Sequence, residues 1–214
     1  VSTTGDLVIA VPRGALFKGT LDLLDTLGID TEEIRSNDRK LLFEKARVIT
    51  MRPSDVPTYV EAGAADIGVT GKDVLMEQSE RDVYELLDLG YGRCRMVLAS
   101  VAGPDRAEAA LRRLGVMRIA TKYPKVAARH FEATGRQAEI VEVKGSVELA
   151  PLTGLVEGIV DLTATGATLA HNNLVVREDI AVCTARLIAN PVAHKLKAAA
   201  IDAVLERLRE REDR

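Results

Sequence analysis

Asp161-Leu162-Thr163-Ala164-Thr165-Gly166-Ala167-Thr168-Leu169 is the stretch from which the fold can be read. An apolar run, Gly158-Ile159-Val160, ends in an acid, passes through a turn of Thr, Ala and Gly, and enters a helix start. Strand, turn and helix in that order suit an anion. Gly166 lets the backbone approach it, the hydroxyls of Thr163, Thr165 and Thr168 donate to it, and the helix N-terminus adds a favourable dipole. Asp161 would not touch a phosphate itself, but it suits ribose hydroxyls or a phosphate-bound metal. A plain strand-to-helix turn has the same spacing, so the stretch alone leaves both readings open.

Working outward, the same alternation runs through the chain. Strands are expected at Leu7–Val11, Val48–Met51, Ile67–Thr70, Val83–Leu89, Met96–Ser100, Arg118–Thr121, Ala138–Val143 and Gly158–Thr163. Helices are expected over Leu16–Leu27, from Ser54 or Asp55 as N-cap to Gly63, and at Lys72–Glu77, Asp105–Leu114, Val126–Thr134 and Ser146–Leu155. The tail from Pro191 to about Arg209 reads as one amphipathic helix. Such alternation implies an α/β protein with mostly parallel sheets and ligands beyond the carboxyl ends of the strands. Each half echoes strand, helix and a Gly-marked strand end. The expectation is therefore two lobes flanked by helices, with a ligand cleft between them. Turn signals put the crossings near Tyr91–Arg95 and Val175–Ile180. The first lobe would be 1–92 with 178–214, and the second 93–177.

At 214 residues, 47% apolar and 29% charged with a formal net charge of −3, the chain can bury a sizeable core. No basic excess advertises nucleic acid, and aromatics are too few for base-stacking platforms. No apolar run reaches membrane-spanning length, and no signal-peptide pattern opens the sequence, so a cytoplasmic location is expected. Cys94 and Cys183 lie far apart without paired spacing, which indicates neither a disulfide framework nor a thiolate zinc site. His130, His171 and His194 have no metal-ligand spacing, and no protein metal site is expected.

Other strand ends carry polar groups of one kind. Arg13-Gly14 after the first strand suits an anion, or is an exposed turn cation. Asn37-Asp38-Arg39-Lys40 reads as a solvated charge cluster. Arg52 leaves a strand end before Pro53, again as an anion contact or a helix-entry turn. Gly71-Lys72-Asp73 resembles part of a Walker A motif but fails it, because Asp66 stands where Gly is needed and Asp73 where Ser or Thr should be. Glu148, after Lys144-Gly145-Ser146, would favour a helix's first turn. Glycine-marked strand ends with Arg, Lys and Thr and almost no nucleophile favour phosphate-rich substrates, worked on by positioning and charge stabilisation.

Ile9–Leu16, Arg39–Phe43, Arg52–Val60, Gly63–Asp73, Arg118–Tyr123, Gly145–Pro151 and Asp161–Leu169 together resemble the catalytic subunit of the ATP phosphoribosyltransferase family, from the first strand to about Lys197. The Gly-Ala-Ala-Asp-Ile-Gly stretch (residues 63–68), combined with the Asp161–Leu169 loop, carries the specificity. The resemblance implies transfer of phosphoribosyl from phosphoribosyl pyrophosphate to N1 of ATP, the first step of histidine biosynthesis, with Mg2+ carried on the substrate phosphates. It implies that Asp161 and Thr163-Ala164-Thr165-Gly166-Ala167-Thr168 hold the ribose and 5-phosphate, and that Arg13, Gly14, Gly71, Lys72 and Asp73 lie along the substrates. Arg39 and Arg52 would neutralise phosphate or departing pyrophosphate, and Glu148 would orient a hydroxyl or steady the ribosyl cation. Ala15 departs from the Arg often found there.

The length resembles the family's short form. That form works with a regulatory protein similar to histidyl-tRNA synthetase, usually as a hetero-octamer, with a homodimer expected for the subunit alone. Two other readings compete. A solute-binding receptor would share the periplasmic-binding-protein-like architecture. A salvage phosphoribosyltransferase would share the loop, though Val160 stands where such enzymes have a second acid.

Overall fold

The computed structural model describes residues 6–212; the polar lead before them and the last two residues lie outside the described range. In chain order the elements are β1 (Ile9–Pro12), α1 (Phe17–Thr26), α2 (Glu32–Ser36), β2 (Leu42–Phe43), β3 (Val48–Met51), α3 (Val56–Glu61), β4 (Ile67–Gly71), α4 (Lys72–Glu77) and β5 (Tyr84–Asp88). There follow β6 (Cys94–Val101), α5 (Arg106–Leu114), β7 (Met117–Thr121), α6 (Pro124–Ala133), β8 (Ala138–Glu142), α7 (Leu149–Leu152), β9 (Gly158–Thr163), α8 (Ala167–His171) and β10 (Leu174–Cys183). The chain closes with β11 (Ala185–Ala189), α9 (Pro191–Leu196) and α10 (Ala198–Glu212). They form two compact units, one running to Gly92 and resuming at Thr184, the other Arg93–Cys183.

The first unit is a six-stranded sheet in the order β2-β3-β1-β4-β11-β5. β1 pairs in parallel with β3 and β4, which buries all four of its residues. Strand alternation sends Ile9, Val11, Ile67, Val69 and Leu187 to one face, against Leu21 and Leu24 of α1 and Ile201 and Val204 of α10. Ala10 and Ile188 face the other way, against Val56 and Val60 of α3. Gly68 is required there: a Cβ would lie 2.7 Å from Val56 Cγ1 and 2.9 Å from Val60 Cγ2.

Asn190 ties this face together. It caps α9 by accepting from the Val192 and Ala193 amides at 2.9 Å each, and its Nδ2 donates to the Val60 and Glu61 carbonyls. Replacing Asn190 by Ala removes a cap and strands buried carbonyl capacity. Urea unfolding should record a loss of about 2 kcal/mol.

The second unit is a five-stranded sheet in the order β10-β6-β9-β7-β8. Val97, Ala99, Ala120 and Ile159 form its core with Val147 and Ala150 around α7 and Leu169 of α8. β7, β8 and β9 are parallel, while β6 runs antiparallel to both β9 and β10.

Several expectations need correction. The sheets are mixed rather than mostly parallel, because β11 returns antiparallel between β4 and β5 and β6 runs antiparallel to both neighbours. Val175–Ile180, expected as a crossing, lies inside β10; Arg177, Glu178 and Asp179 gave a turn-like composition to a bulged edge strand. Ser146–Leu155 narrows to α7, since Ser146 takes φ +44° and Gly154 φ +76° at its two ends. Neither Ser54 nor Asp55 caps α3 with its side chain; Pro57 in the first turn removes one orphan amide instead. The tail is two helices, broken at Lys197, whose ammonium is drawn 2.8 Å from Asp66.

Candidate active site

The second unit gathers its polar groups at the carboxyl ends of its parallel strands. Asp161 sits in β9 at 5% exposure, and its Oδ1 accepts from the Leu162 amide at 2.8 Å. Parallel pairing of Thr121 with Val160 sets the next residue, Lys122, beside Asp161, with Nζ 3.6 Å from Oδ1. Burial pushes the Asp161 carboxyl above its ordinary range. Lys122 and the Leu162 amide pull it back, and the nearby charge of Glu148 pushes it up. Glu148 is the residue before α7 and caps nothing with its side chain.

Beyond β9 the chain turns through Gly166, whose φ of +80° favours glycine, into α8. Thr163 Oγ1 accepts from the Gly166 amide at 2.9 Å and Thr165 Oγ1 from the Ala167 amide at 3.3 Å. The threonines thus engage the Gly166 and Ala167 amides and fix the turn, while Ala164, Thr165 and Thr168 are exposed. A Cβ on Gly166 would meet nothing within 4 Å, so the space in front of this turn is open.

The first unit carries a cavity of about 560 Å³ lined by Arg13, Thr50, Arg52, Asp55 and Tyr59, with Leu41 and Leu42 at its rim. Arg13 follows β1, and its guanidinium is already engaged. It donates to Thr50 Oγ1 at 3.2 Å, Asp38 Oδ1 at 3.2 Å, the Asn37 carbonyl at 3.4 Å and the Lys40 carbonyl at 2.8 Å. It also lies 4.8 Å from the Phe17 ring centroid. Arg13 therefore holds the 37–40 segment against the sheet, and that segment presents the exposed Arg39. Gly14 takes φ +82° and starts a short 3-10 turn.

Gly71, Lys72 and Asp73 join β4 to α4, but the Lys72 ammonium is bound at 2.7 Å by Glu85 on β5 and is not a spare cation. The expected residues thus fall into two groups. Arg13 and Arg52 line one cavity, with Arg39 on the loop that Arg13 fixes; Asp161, Glu148 and residues 163–168 surround the β9 turn. Sequence reasoning missed Lys122. The signal was available, since Lys122 is another cation immediately past a strand.

The fold defines a two-unit α/β protein of the periplasmic-binding-protein type, and its second unit bears a glycine-marked strand–turn–helix behind a buried acid. The periplasmic aliphatic sulphonate binding protein of Escherichia coli shares that fold, with TM-score 0.61 at 14% identity over 95% of this chain and 71% of that one. A family model, HisG: ATP phosphoribosyltransferase, matches residues 52–210. The ATP phosphoribosyltransferase of Rubrobacter xylanophilus is 53% identical over 93% of each chain, and that of Sorangium cellulosum 46% identical over 96% of each. In the ATP phosphoribosyl transferase (HisG:HisZ) complex of Thermotoga maritima, a chain 38% identical superposes with TM-score 0.80, covering 95% of this chain and 97% of that one. This chain belongs to the ATP phosphoribosyltransferase family, the transferases of the first step of histidine biosynthesis.

Proposed function

We propose that the second unit binds phosphoribosyl pyrophosphate and that the first unit's cations serve the phosphates of ATP and the departing pyrophosphate. The observation that carries this reading is the buried Asp161 beside Lys122, directly ahead of the Gly166 turn with its exposed threonines. The 5-phosphate replaces Thr163 and Thr165 as acceptor for the Gly166 and Ala167 amides and accepts from the exposed Thr165 and Thr168 hydroxyls, and Asp161 accepts from the ribose hydroxyls. Lys122 opposes the effect of burial and so favours the charged carboxylate that this task needs.

The reaction is displacement at C1′. The adenine N1 lone pair forms the new C–N bond as the C1′–oxygen bond breaks and pyrophosphate leaves with the electron pair. N1 needs no prior deprotonation, so the protein's part is positioning and stabilising charge. In this reading Glu148 and Asp161 steady the positive charge that develops at the ribosyl carbon, and Arg39 and Arg52 offset the negative charge of pyrophosphate. The hard carboxylate oxygens of Asp161 and Glu148 would suit Mg2+ arriving on the substrate phosphates, which would supply positive charge to the leaving group. Arg13 acts as the strut of the Arg39 loop more than as a phosphate ligand.

The working assembly is proposed to include a HisZ-like regulatory subunit similar to histidyl-tRNA synthetase, in a hetero-octamer, with a homodimer when the chain is alone and a cytoplasmic location.

Titration calorimetry with magnesium phosphoribosyl pyrophosphate tests the loop assignment. The wild type should bind saturably. Gly166→Ala should cost about 1 kcal/mol of stability from its positive φ. Its methyl would stand in the open space before the turn, weakening binding at least about tenfold. Undiminished affinity in a folded Gly166→Ala protein would remove the loop from the site.

A further inference from the structure

Cys94 and Cys183 stand at opposite ends of the second unit's sequence, yet β6 and β10 bring them into direct register. Cys94 opens β6 and Cys183 closes β10, so the pair sits where the chain enters and leaves that unit. Opposed residues of an antiparallel pair project to the same face with Cα atoms about 4.5–5.5 Å apart, inside the range a disulfide spans. The bulges in this ladder fall farther along, between Val176 and Glu178 and between Asp179 and Ala181, so the neighbouring Val182–Arg95 pair keeps the cysteines in step. Both are thiols here; Cys183 is buried at 1% exposure and Cys94 is half-buried.

We propose that Cys94 and Cys183 form a redox-responsive pair that low-molecular-weight disulfides such as oxidised glutathione convert to a cross-strand disulfide. The more exposed Cys94 attacks first as its thiolate, bonding to one glutathione sulfur and expelling the other glutathione as thiolate. Cys183, also as thiolate, then attacks the Cys94 sulfur and expels the second glutathione. The two protein thiols lose two protons and two electrons, and one oxidised glutathione becomes two reduced. The product staples the ends of β6 and β10 together and closes the whole second unit into one loop, which hinders fraying of those strand ends.

The test exposes the reduced, folded full chain to oxidised glutathione, then denatures it in acid, alkylates it and weighs it. The expected product has lost two hydrogens, carries no alkyl group, yields one peptide linking Cys94 to Cys183, and reverts with dithiothreitol. Hydrogen exchange at the Val182 and Arg95 amides should slow at least about tenfold in the oxidised form. Cys183→Ser should stop at a glutathione adduct on Cys94. Two alkylatable thiols per wild-type chain after oxidation would overturn the proposal. So would a wild-type glutathione adduct that never resolves to the internal disulfide.

Discussion

Asp161→Asn should lower kcat by about 10²–10³-fold while leaving the protein at least as heat-stable as the wild type. The two effects share one cause. Asp161 is buried, and burial disfavours its charge more than Lys122 and one amide favour it, so its pKa is raised on folding. A carboxyl whose pKa rises on folding takes up its proton more readily in the native state. Stability from this group is therefore greatest at acid pH and declines as pH climbs from the unfolded pKa to the folded one. The neutral amide escapes that decline while still accepting from the Leu162 amide. Thermal unfolding should show the variant's advantage fully above the folded pKa of Asp161 and vanishing below the unfolded one. A variant that lost both turnover and stability at neutral pH would mean that Asp161 is a structural acid.

Arg39→Ala should cost about 10²–10³-fold in kcat with little change in stability, because an exposed guanidinium that stabilises transition-state charge contributes little to folding. Arg13→Lys should reach the same pathway from behind. The Arg13–Asp38 ion pair is worth little, with Asp38 88% exposed, but the fork to Thr50 and the Lys40 carbonyl cannot be reproduced by an ammonium. Loosening the loop should lower kcat about tenfold through misplacement of Arg39. The two changes should not add. In the Arg39→Ala background, Arg13→Lys should have almost no further effect on kcat. Full additivity would make Arg13 an independent phosphate ligand, and unchanged turnover in Arg39→Ala would remove Arg39 from the mechanism.

What the sequence disclosed and what it withheld divide along the distinction between local and non-local physics. β9, its Gly166 turn and the start of α8 were readable because strand, turn and cap signals lie within one short segment. β3 and α4 were readable to the residue for the same reason. Strand direction was not, since nothing in Ala185–Ala189 says that it will return antiparallel between β4 and β5. β10 was hidden because an edge strand solvates its polar side chains and so resembles a turn. The placement of Lys122 beside Asp161 and the opposition of the two cysteines depend on register between distant strands. Arg13 looked like an available cation because its partners lie 24 to 37 residues away, and Lys72 because Glu85 lies on another strand.

Near-ultraviolet absorbance in a mixture of this protein, ATP, phosphoribosyl pyrophosphate, magnesium and pyrophosphatase is the most direct measurement, since phosphoribosyl-ATP absorbs more strongly there than ATP. The account predicts a steady rise that requires both substrates and stops when either is omitted. No rise, even with a HisZ-like partner supplied, would contradict it.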